Sequence, residues 1–490
     1  MTMTLVAVYF LCLGVLAAYG LHRYHVVYLY KKYKKAVPKA RGQFDPLPHV
    51  TVQLPIYNER YVTRRLVDAV CALDYPRELL QVQVLDDSTD DTVDIARAVV
   101  EKHRAAGIDV EHVHRTDRSG FKAGALDEGL SRAKGELVAI FDADFLPRPE
   151  LLREVVHHFT DPRVGMVQTR WGHINEDYSL LTRVQSILLD GHFVMEHTAR
   201  NRSGRFFNFN GTAGIWRRSA IDDAGGWQHD TLTEDLDLSY RAQMRGWRFV
   251  FLNDVVTPGE VPVAMSAFKC QQHRWAKGSI QTCKKLLPSL WKAPLPFRVK
   301  LEGTVHLTSN FAYILILLMS TLMLPMAIFR SRLEPGLAPF LADTSLFALA
   351  FVSVCVFYME SQREIHADWR RRMRLLPMVL SVGIGMSLNN ARAVLEAVLG
   401  RTSPFLRTPK YAVHAKDETW REKTYRAPVS LLPLLEILFA LYFAGLVTFA
   451  LVKGLWLMSL FLLLFLVGFG YVGALSLWEL RRPPALALSE

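Results

Sequence analysis

Hydrophobic and polar positions alternate with two different periods in the middle of the chain. Short apolar segments, typical of buried strands, are separated by stretches with helical spacing. This alternation predicts crossover units and therefore a mainly parallel, doubly wound α/β sheet covered on both faces. The predicted strands cover 49–54, 81–85, 109–114, 136–141 and 164–168, and the predicted helices cover 59–72, 90–106 and 122–133.

Longer apolar runs flank this region and have the length needed to cross a bilayer. The first, 5–21, is compatible with a signal peptide. Basic residues follow it at 22–23 and 31–35 rather than precede it, which favours an uncleaved anchor with its C-terminal side in the cytosol. The other predicted spans are 305–329, 340–358, 429–451 and 455–477.

The apolar segment 375–399 is interrupted by Asn389, Asn390, Arg392 and Glu396. Both of its flanks are basic, so we expect an amphipathic helix lying in the membrane interface. A sixth span is the alternative, but it would place the basic stretch 401–426 outside, against the positive-inside tendency. The prediction is five spans.

Composition agrees with a membrane protein of two or three domains. Half of the 490 residues are hydrophobic, and the formal net charge is +11. The basic residues concentrate beside the apolar runs, which favours anionic lipid over nucleic acid as their partner. The five cysteines show no metal-binding spacing, and a reduced cytosolic compartment is the simple inference.

The chain is therefore expected to divide into seven parts. These are an anchor (1–30), a cytosolic α/β domain (45–260), a segment with interfacial helices (261–304), two transmembrane helices (305–358), an amphipathic helix (375–399), a loop (400–428) and two transmembrane helices (429–480).

Acidic residues follow two of the predicted strands. Ligands of open α/β sheets bind beyond the carboxyl ends of the strands, so these residues should share one crevice. Asp142 and Asp144 offer oxygen ligands for Mg²⁺ or Mn²⁺, which bridge to diphosphate oxygens. An isolated Asp-Ala-Asp is also typical of a solvated loop.

Other residues at the same edge suit a nucleotide. We assign Asp86 and Asp87 to the nucleoside, and Tyr57 could lie against its base. Glu59 could bond the base, or could equally be a first-turn carboxylate favoured by the helix dipole. Lys122, at a glycine-rich helix start, suits a phosphate or a sugar hydroxyl, although such a joint is also common structurally.

Thr233, Glu234 and Asp235 precede an apolar helical stretch. Two interpretations stay open. Thr233 could cap this helix while the two acids lie favourably on its first turn. Alternatively, one carboxylate held near a sugar could accept the proton of an attacking hydroxyl as general base.

The stretch 271–275, Gln-Gln-His-Arg-Trp, lies at the boundary between the α/β region and the membrane-spanning region. Arg274 suits a diphosphate through its planar fork of donors, and the indole of Trp275 can stack on a pyranose. A tryptophan near a membrane also serves commonly as an interface anchor.

As an ordered set, these motifs resemble the D, DxD, TED and QxxRW series of processive family 2 inverting glycosyltransferases, the cellulose and hyaluronan synthases. The stretches 209–214 and 224–227 and the Gln-Gln-His-Arg-Trp form are more similar to the cellulose-synthase-like mannan and glucomannan synthases. The resemblance covers about residues 45–290 closely, and an ordered set of this kind is specific.

The resemblance implies a cytosolic GT-A domain and a role for each matching residue. It implies that Asp86 and Asp87 hold the nucleoside, Asp142 and Asp144 the diphosphate and metal, and Gln271 and Arg274 the diphosphate edge. Asp235, beside Thr233 and Glu234, would accept the proton, and Trp275 would hold the acceptor sugar with Phe209, Gly211 and Thr212. Residues 405–410 resemble the FxVTxK gating loop, with Phe405 excluding water, Arg407 replacing valine, and Thr408 and Lys410 reaching the diphosphate.

The expected activity is processive polymerisation of a β-linked hexose, with UDP-glucose or GDP-mannose as donor and a growing glycan or glycolipid as acceptor. Two alternatives stay open, a ceramide-glucosyltransferase-like transfer of one sugar to a lipid and a non-enzymatic transporter or scaffold. We expect a multi-pass protein of the inner, plasma or Golgi membrane with a cytosolic catalytic domain and no nucleic-acid partner. Whether the protein forms a homo-oligomer or binds an accessory subunit is left open. Cellulose synthases have more spans than the five predicted here, so it is also left open whether one subunit encloses a complete channel.

Overall fold

The computed structural model describes residues 2–330, 337–401, 406–423, 425 and 430–480. Within them, seven strands form one sheet in the order β3-β2-β1-β4-β6-β5-β7. The strands are β1 (Val50–Ile56), β2 (Leu80–Asp86), β3 (Asp109–His114), β4 (Leu137–Ile140), β5 (Val164–His173), β6 (Gly214–Arg217) and β7 (Arg248–Gly259).

The sheet is mixed but mostly parallel, which confirms the predicted fold class. β1 pairs in parallel with β2 and β4, β2 with β3, and β5 with β7. Only β6 runs antiparallel to its two neighbours among the described strands. The sequence pattern did not predict β6 or β7, because four residues are too few to show a period and β7 contains a proline, which is typical of strand ends.

Helices cover both faces of the sheet. Along β4, Leu137 and Ala139 pack into one hydrophobic cluster, whereas Val138 and Ile140 pack into the other. This two-sided burial explains why the parallel strands are continuously apolar. The helices of this region are α2 (Thr63–Cys71), α3 (Thr92–Ala105), α4 (Phe121–Arg132), α5 (Leu151–Val155), α6 (Leu180–Asp190), α7 (Thr198–Arg202), α8 (Arg218–Asp223) and α9 (Glu234–Met244), with a π-helix at Gly191–His197 between α6 and α7.

The remaining helices lie before and after this region, and several of them are long and strongly apolar. They are α1 (Thr2–Tyr33), α10 (Met265–Lys292), α11 (Phe297–Thr308), α12 (Ala312–Arg330), α13 (Leu337–Ile365), α14 (Trp369–Arg372), α15 (Leu376–Gly385), α16 (Ser387–Val398), α17 (Leu432–Val452) and α18 (Trp456–Leu480).

Among the described residues, five helical segments have the length and composition to cross a membrane. They are Thr4–Tyr33, Phe297–Met326, Trp369–Val398, Leu432–Val452 and Trp456–Leu480. The third includes the segment that the sequence pattern assigns to the membrane interface, and its placement there stays a prediction. The predicted span 340–358 lies within α13, part of which falls outside the residues whose side chains are described.

Buried ion pairs join the two regions. The carboxylate of Glu302 in α11 accepts hydrogen bonds from Arg200 Nε at 3.0 Å, and His22 Nε2 of α1 lies 3.1 Å from it. The side chains of Glu302 and Arg200 are each 3% exposed. Within the second group of helices, another buried pair joins Lys269 Nζ of α10 to Glu436 Oε2 of α17 at 2.6 Å. The α/β domain is thus fixed to the apolar helices through specific charges.

We expect Glu302→Ala to lower the thermal unfolding midpoint of the detergent-solubilised protein, because it leaves the Arg200 guanidinium buried with one carboxylate partner fewer. Removing one member of a buried pair typically costs on the order of 3–5 kcal/mol. Glu364→Ala is the matched control, since its pair with Lys34 is much more exposed and should contribute little. Equal midpoints for the two variants would contradict the structural role of Glu302.

Candidate active site

The carboxyl ends of β1 and β4 open into a solvent-accessible cavity of about 1200 Å³, its open mouth included. Residues from distant parts of the sequence meet there, as expected at the strand ends of an α/β sheet. The predicted site residues that line it are Tyr57, Glu59, Asp87, Lys122, Asp142, Asp144, Gly211, Thr233, Glu234, Asp235, Gln271, Arg274, Trp275, Thr408 and Lys410.

Three predicted site residues lie behind the cavity wall. Asp86 is fully buried and accepts hydrogen bonds from His112 and from the backbone N–H of Ser88. Thr212 Oγ1 accepts a hydrogen bond from the backbone N–H of Asp142 at 2.8 Å, and Phe209 packs edge-on against Trp216. Asp86, Thr212 and Phe209 therefore support the site without lining it. Phe405, the remaining predicted residue, lies outside the described residues.

Two arginines that the motifs did not indicate shape the end of the cavity that holds Tyr57 and Asp87. The guanidinium of Arg115 donates to both carboxylate oxygens of Asp87 at 2.7 Å, a bidentate pair. The guanidinium carbon of Arg118 lies 3.4 Å from the centre of the Tyr57 ring, in a cation–π contact. A planar base entering here would meet Arg118 stacked on Tyr57.

Lysines neutralise both carboxylates of the Asp-Ala-Asp motif. Lys122 Nζ donates to Asp142 Oδ1 at 2.5 Å and to the Gly211 carbonyl at 2.8 Å. Burial alone would raise the pKa of Asp142, but Lys122 and the other nearby cations hold it below its ordinary value. Lys410 Nζ lies 2.8 Å from Asp144 Oδ1, and there burial dominates, so the pKa of Asp144 is raised.

This pair of carboxylates fits Mg²⁺ or Mn²⁺. Asp142 and Asp144 are separated by one residue directly after β4, and both line the cavity. They offer hard oxygen donors with room beside them for water and phosphate oxygens, the ligand set these ions prefer. The ammonium of Lys410 therefore lies where it would compete with a divalent ion.

Thr233 precedes α9, and the two acids of the motif form its first turn. The Thr233 side chain makes no capping hydrogen bond; its hydroxyl instead lies 3.2 Å from that of Thr282. Glu234 and Asp235 line the cavity. Burial first, and then the charge of Glu234, raise the pKa of Asp235 to about 7. This value suits a general base that works near neutral pH.

Gly211 lies beside the carboxylate of Asp235 and the ammonium of Lys122. Its φ of +79° is a conformation that other residues rarely adopt. An added Cβ would lie 3.1 Å from Asp235 Oδ2 and 3.3 Å from Lys122 Nζ. A side chain here would therefore crowd the two charged groups.

Helix α10 presents two faces. Gln271, Arg274 and Trp275, spaced i, i+3 and i+4, line the cavity on one face. His273 and Lys277 lie on the other, each 3.1 Å from Glu396 Oε2 of α16. The same helix thus carries cavity residues and contacts the apolar helices.

The loop 406–423 closes one side of the cavity. Arg407, Thr408 and Lys410 all line it, and Lys410 Nζ also lies 3.1 Å from Glu59 Oε1. Arg407 lies 3.8 Å from the same oxygen and 3.9 Å from the ring of Tyr425. Burial raises the pKa of Glu59 despite these two cations.

Further lining residues were missed by sequence reasoning. Asn210 and His173 line the cavity, as do Trp171 and Glu260. His173 ends β5 and contacts Asp190 at 3.3 Å. A prediction of β5 through to His173 would have placed this residue at the same edge as the acidic motifs.

Known proteins resemble this chain over about half of its length. The family model described as "Glycosyltransferase like family 2" matches residues 48–278. Glucomannan 4-beta-mannosyltransferase 2 of Arabidopsis thaliana is 42% identical over 278 residues, which is 54% of this chain and 52% of the relative. Glucomannan 4-beta-mannosyltransferase 1 of Oryza sativa subsp. japonica is 40% identical over 293 residues, 56% and 55% of the two chains.

A solved structure shares the fold. The mannosyltransferase PcManGT from Pyrobaculum calidifontis, in complex with GDP-Man and Mn²⁺, aligns with a TM-score of 0.54 and 22% identity over 80% of this chain and 100% of its own. The chain spans about half the length of the curated relatives it matches. The predicted resemblance is confirmed: residues 48–278 match the glycosyltransferase-like family 2, and glucomannan mannosyltransferases are among the similar proteins.

Proposed function

We propose that the chain is a membrane-embedded inverting glycosyltransferase that polymerises a β-linked hexose from a nucleotide sugar. The observation that carries the proposal is the half-buried Asp235, with a pKa of about 7, in one cavity with Asp142, Asp144 and Trp275. The names of the relatives favour a mannosyl donor, GDP-mannose, and a mannan or glucomannan product. UDP-glucose is the competing donor, and a panel of sugar nucleotides distinguishes them.

The donor would lie across the strand ends. Its base would meet Tyr57 and Arg118, and its diphosphate would lie between Lys122 and Arg274. Asp142 and Asp144 would hold Mg²⁺ or Mn²⁺, which when bound offsets charge developing on the departing nucleoside diphosphate. Thr408 and Lys410 would close over the diphosphate from the loop and exclude water from it.

The acceptor would enter on the side of Trp275, whose indole can stack on a sugar ring. As an acceptor hydroxyl oxygen bonds to the anomeric carbon, the bond from that carbon to the diphosphate oxygen breaks. Asp235 would take the hydroxyl proton, and attack from the face opposite the leaving group inverts the anomeric configuration. A growing glycan is the proposed acceptor, and the length of the product measured on a gel separates polymerisation from transfer of one sugar to a lipid.

The five candidate spans support attachment to a membrane. We propose that the catalytic domain lies in the cytosol, because basic residues accompany the apolar helices on the side that carries it. Lys31 lies in the last turn of α1 and Lys34 directly follows this helix, and they form ion pairs with Glu360 and Glu364 of α13. An inner, plasma or Golgi membrane is compatible with this orientation.

Asp235→Asn tests the base. The amide keeps the volume of the side chain but cannot accept a proton, so turnover should fall roughly a hundredfold to ten-thousandfold while donor affinity changes little. Because the group must be ionised to act, wild-type kcat/KM should fall as pH drops through about 7, and residual activity of the variant should lack that limb. Asp230→Asn, at a largely exposed carboxylate, is the control. Turnover above about a tenth of wild type would rule out Asp235 as the base.

Asp144→Ala tests the metal. Removing this oxygen ligand should raise the Mg²⁺ or Mn²⁺ concentration needed for half-maximal donor binding, because Asp142 alone then remains of the pair. Donor affinity is measured at a series of metal concentrations. Asp109→Ala, a half-exposed carboxylate at the start of β3, should leave the metal dependence unchanged. If Asp144→Ala gives the wild-type metal dependence, the ion does not bind there.

The loop is tested by Thr408→Ala combined with Lys410→Ala. Loss of the two donors should lower turnover while the unfolding midpoint stays near wild type. Donor plus metal should protect the loop of the wild type, but not of the double variant, from added protease. Lys416→Ala, an exposed lysine of the same loop, is the matched control. If the double variant has wild-type kinetics and the donor gives no protection, the loop does not close over the donor and is only a basic connecting segment.

A further inference from the structure

A second group of metal-ligating side chains lies at the edge of the sheet. His112 and His114 are two residues apart on β3, the terminal strand of the sheet order, so their side chains share one face. Asp86 ends the neighbouring strand β2, in register with His114. Strand pairing therefore brings together three residues that lie up to 28 positions apart in the sequence.

The ligand atoms are spaced as a metal site requires. His112 Nε2 lies 2.8 Å from Asp86 Oδ2, and His114 Nδ1 lies 3.6 Å from the same oxygen. One ligand atom from each of the three residues falls within 4.8 Å of the others. In a tetrahedral site with bonds of about 2.0–2.1 Å, ligand atoms lie about 3.4 Å apart. The distances between ligand atoms would have to change by about 0.2 to 1.4 Å to reach this geometry.

We propose that Asp86, His112 and His114 bind a divalent transition-metal ion of the Zn²⁺, Co²⁺ or Ni²⁺ class. Two imidazoles and one carboxylate form a ligand set that these ions prefer, whereas Mg²⁺ and Ca²⁺ prefer oxygen ligands alone. Three protein ligands leave a fourth position for water. The site is thus chemically distinct from the carboxylate pair Asp142 and Asp144.

The surroundings favour binding. The backbone N–H of Ser88 donates to Asp86 Oδ1 at 2.8 Å, which fixes the carboxylate and leaves Oδ2 directed at the two histidines. Such outer contacts orient ligands in metal sites. Asp86 is fully buried, but the side chain of His114 is 33% exposed, so an ion can reach the group from solvent.

The group formed by Asp86, His112 and His114 lies directly behind two residues at the cavity. Asp86 precedes Asp87, and His114 precedes Arg115, and these two neighbours form the bidentate pair at the cavity. The backbone N–H of Arg115 also donates to the Asp86 carbonyl. An ion bound to both strand ends would therefore cross-link β2 to β3 directly behind that pair. Metal binding at this sheet edge would be independent of which sugar the cavity accepts.

Zn²⁺ titration calorimetry on the full chain in detergent, with Mg²⁺ in large excess and no nucleotide, tests the proposal. We expect one Zn²⁺ site in the wild type and at least a tenfold loss of affinity in His112→Asn combined with His114→Asn. His103→Asn, which removes a histidine that pairs with Asp68 on α2, is the matched control and should keep the site. Asp144→Ala should also keep it.

Two further readouts guard against a folding defect. Co²⁺ should give the visible absorption of a four-coordinate nitrogen and oxygen site in the wild type and in Asp144→Ala, but not in the double histidine variant. Without added metal, the double variant should unfold near the wild-type midpoint, and Zn²⁺ should raise the midpoint of the wild type alone. Equal Zn²⁺ affinity in the wild type and the double variant, or no site in the wild type, would show that His112 and Asp86 form only a structural hydrogen bond.

Discussion

Charge pairing inside the cavity is the constraint on which the site depends. Several carboxylates are brought together with little access to water, and an unpaired buried carboxylate costs several kcal/mol. The protein compensates with cations from separate elements, Lys122 from α4 and Lys410 from the loop. The pKa of Asp235 is raised to about 7 by burial first and then by the charge of Glu234, which outweigh the nearby cations. The burial and the charges that shape the cavity therefore also set the basicity of the Asp235 carboxylate.

The same constraint connects the loop to the ligands. Lys410 occupies the position beside Asp144 and Glu59 that a divalent ion and a diphosphate would change most. Because like charges repel at short distance, a cation bound at Asp144 favours displacement of the Lys410 ammonium, whereas the diphosphate attracts it. Loop position, metal binding and donor binding are thus expected to be coupled through one lysine.

Much of this arrangement follows from sequence patterns. The first five strands and three helices lie within a few residues of their predicted positions, because continuous apolar runs and helical spacing are strong local signals. The ordered motifs likewise indicated residues that line a single cavity. Contacts that depend on tertiary geometry could not be predicted: the stacking of Arg118 on Tyr57 and the partnership of Lys122 with Asp142 require the fold to bring the residues together. β6 was missed because its four residues carry too short a pattern.

Strand register explains the clearest difference between motif and structure. Asp86 and Asp87 are neighbours in the sequence, but alternate residues of a strand point to opposite faces. Asp87 therefore lines the cavity and pairs with Arg115, whereas Asp86 turns toward His112 and His114 on the far side of the strand end. The two aspartates belong to one sequence motif, but they point to opposite sides of the strand end and therefore contact different residues. The sheet edge behind the cavity is consequently a separate chemical environment, in which two imidazoles face one carboxylate, whereas Asp142 and Asp144 offer the cavity oxygen atoms alone.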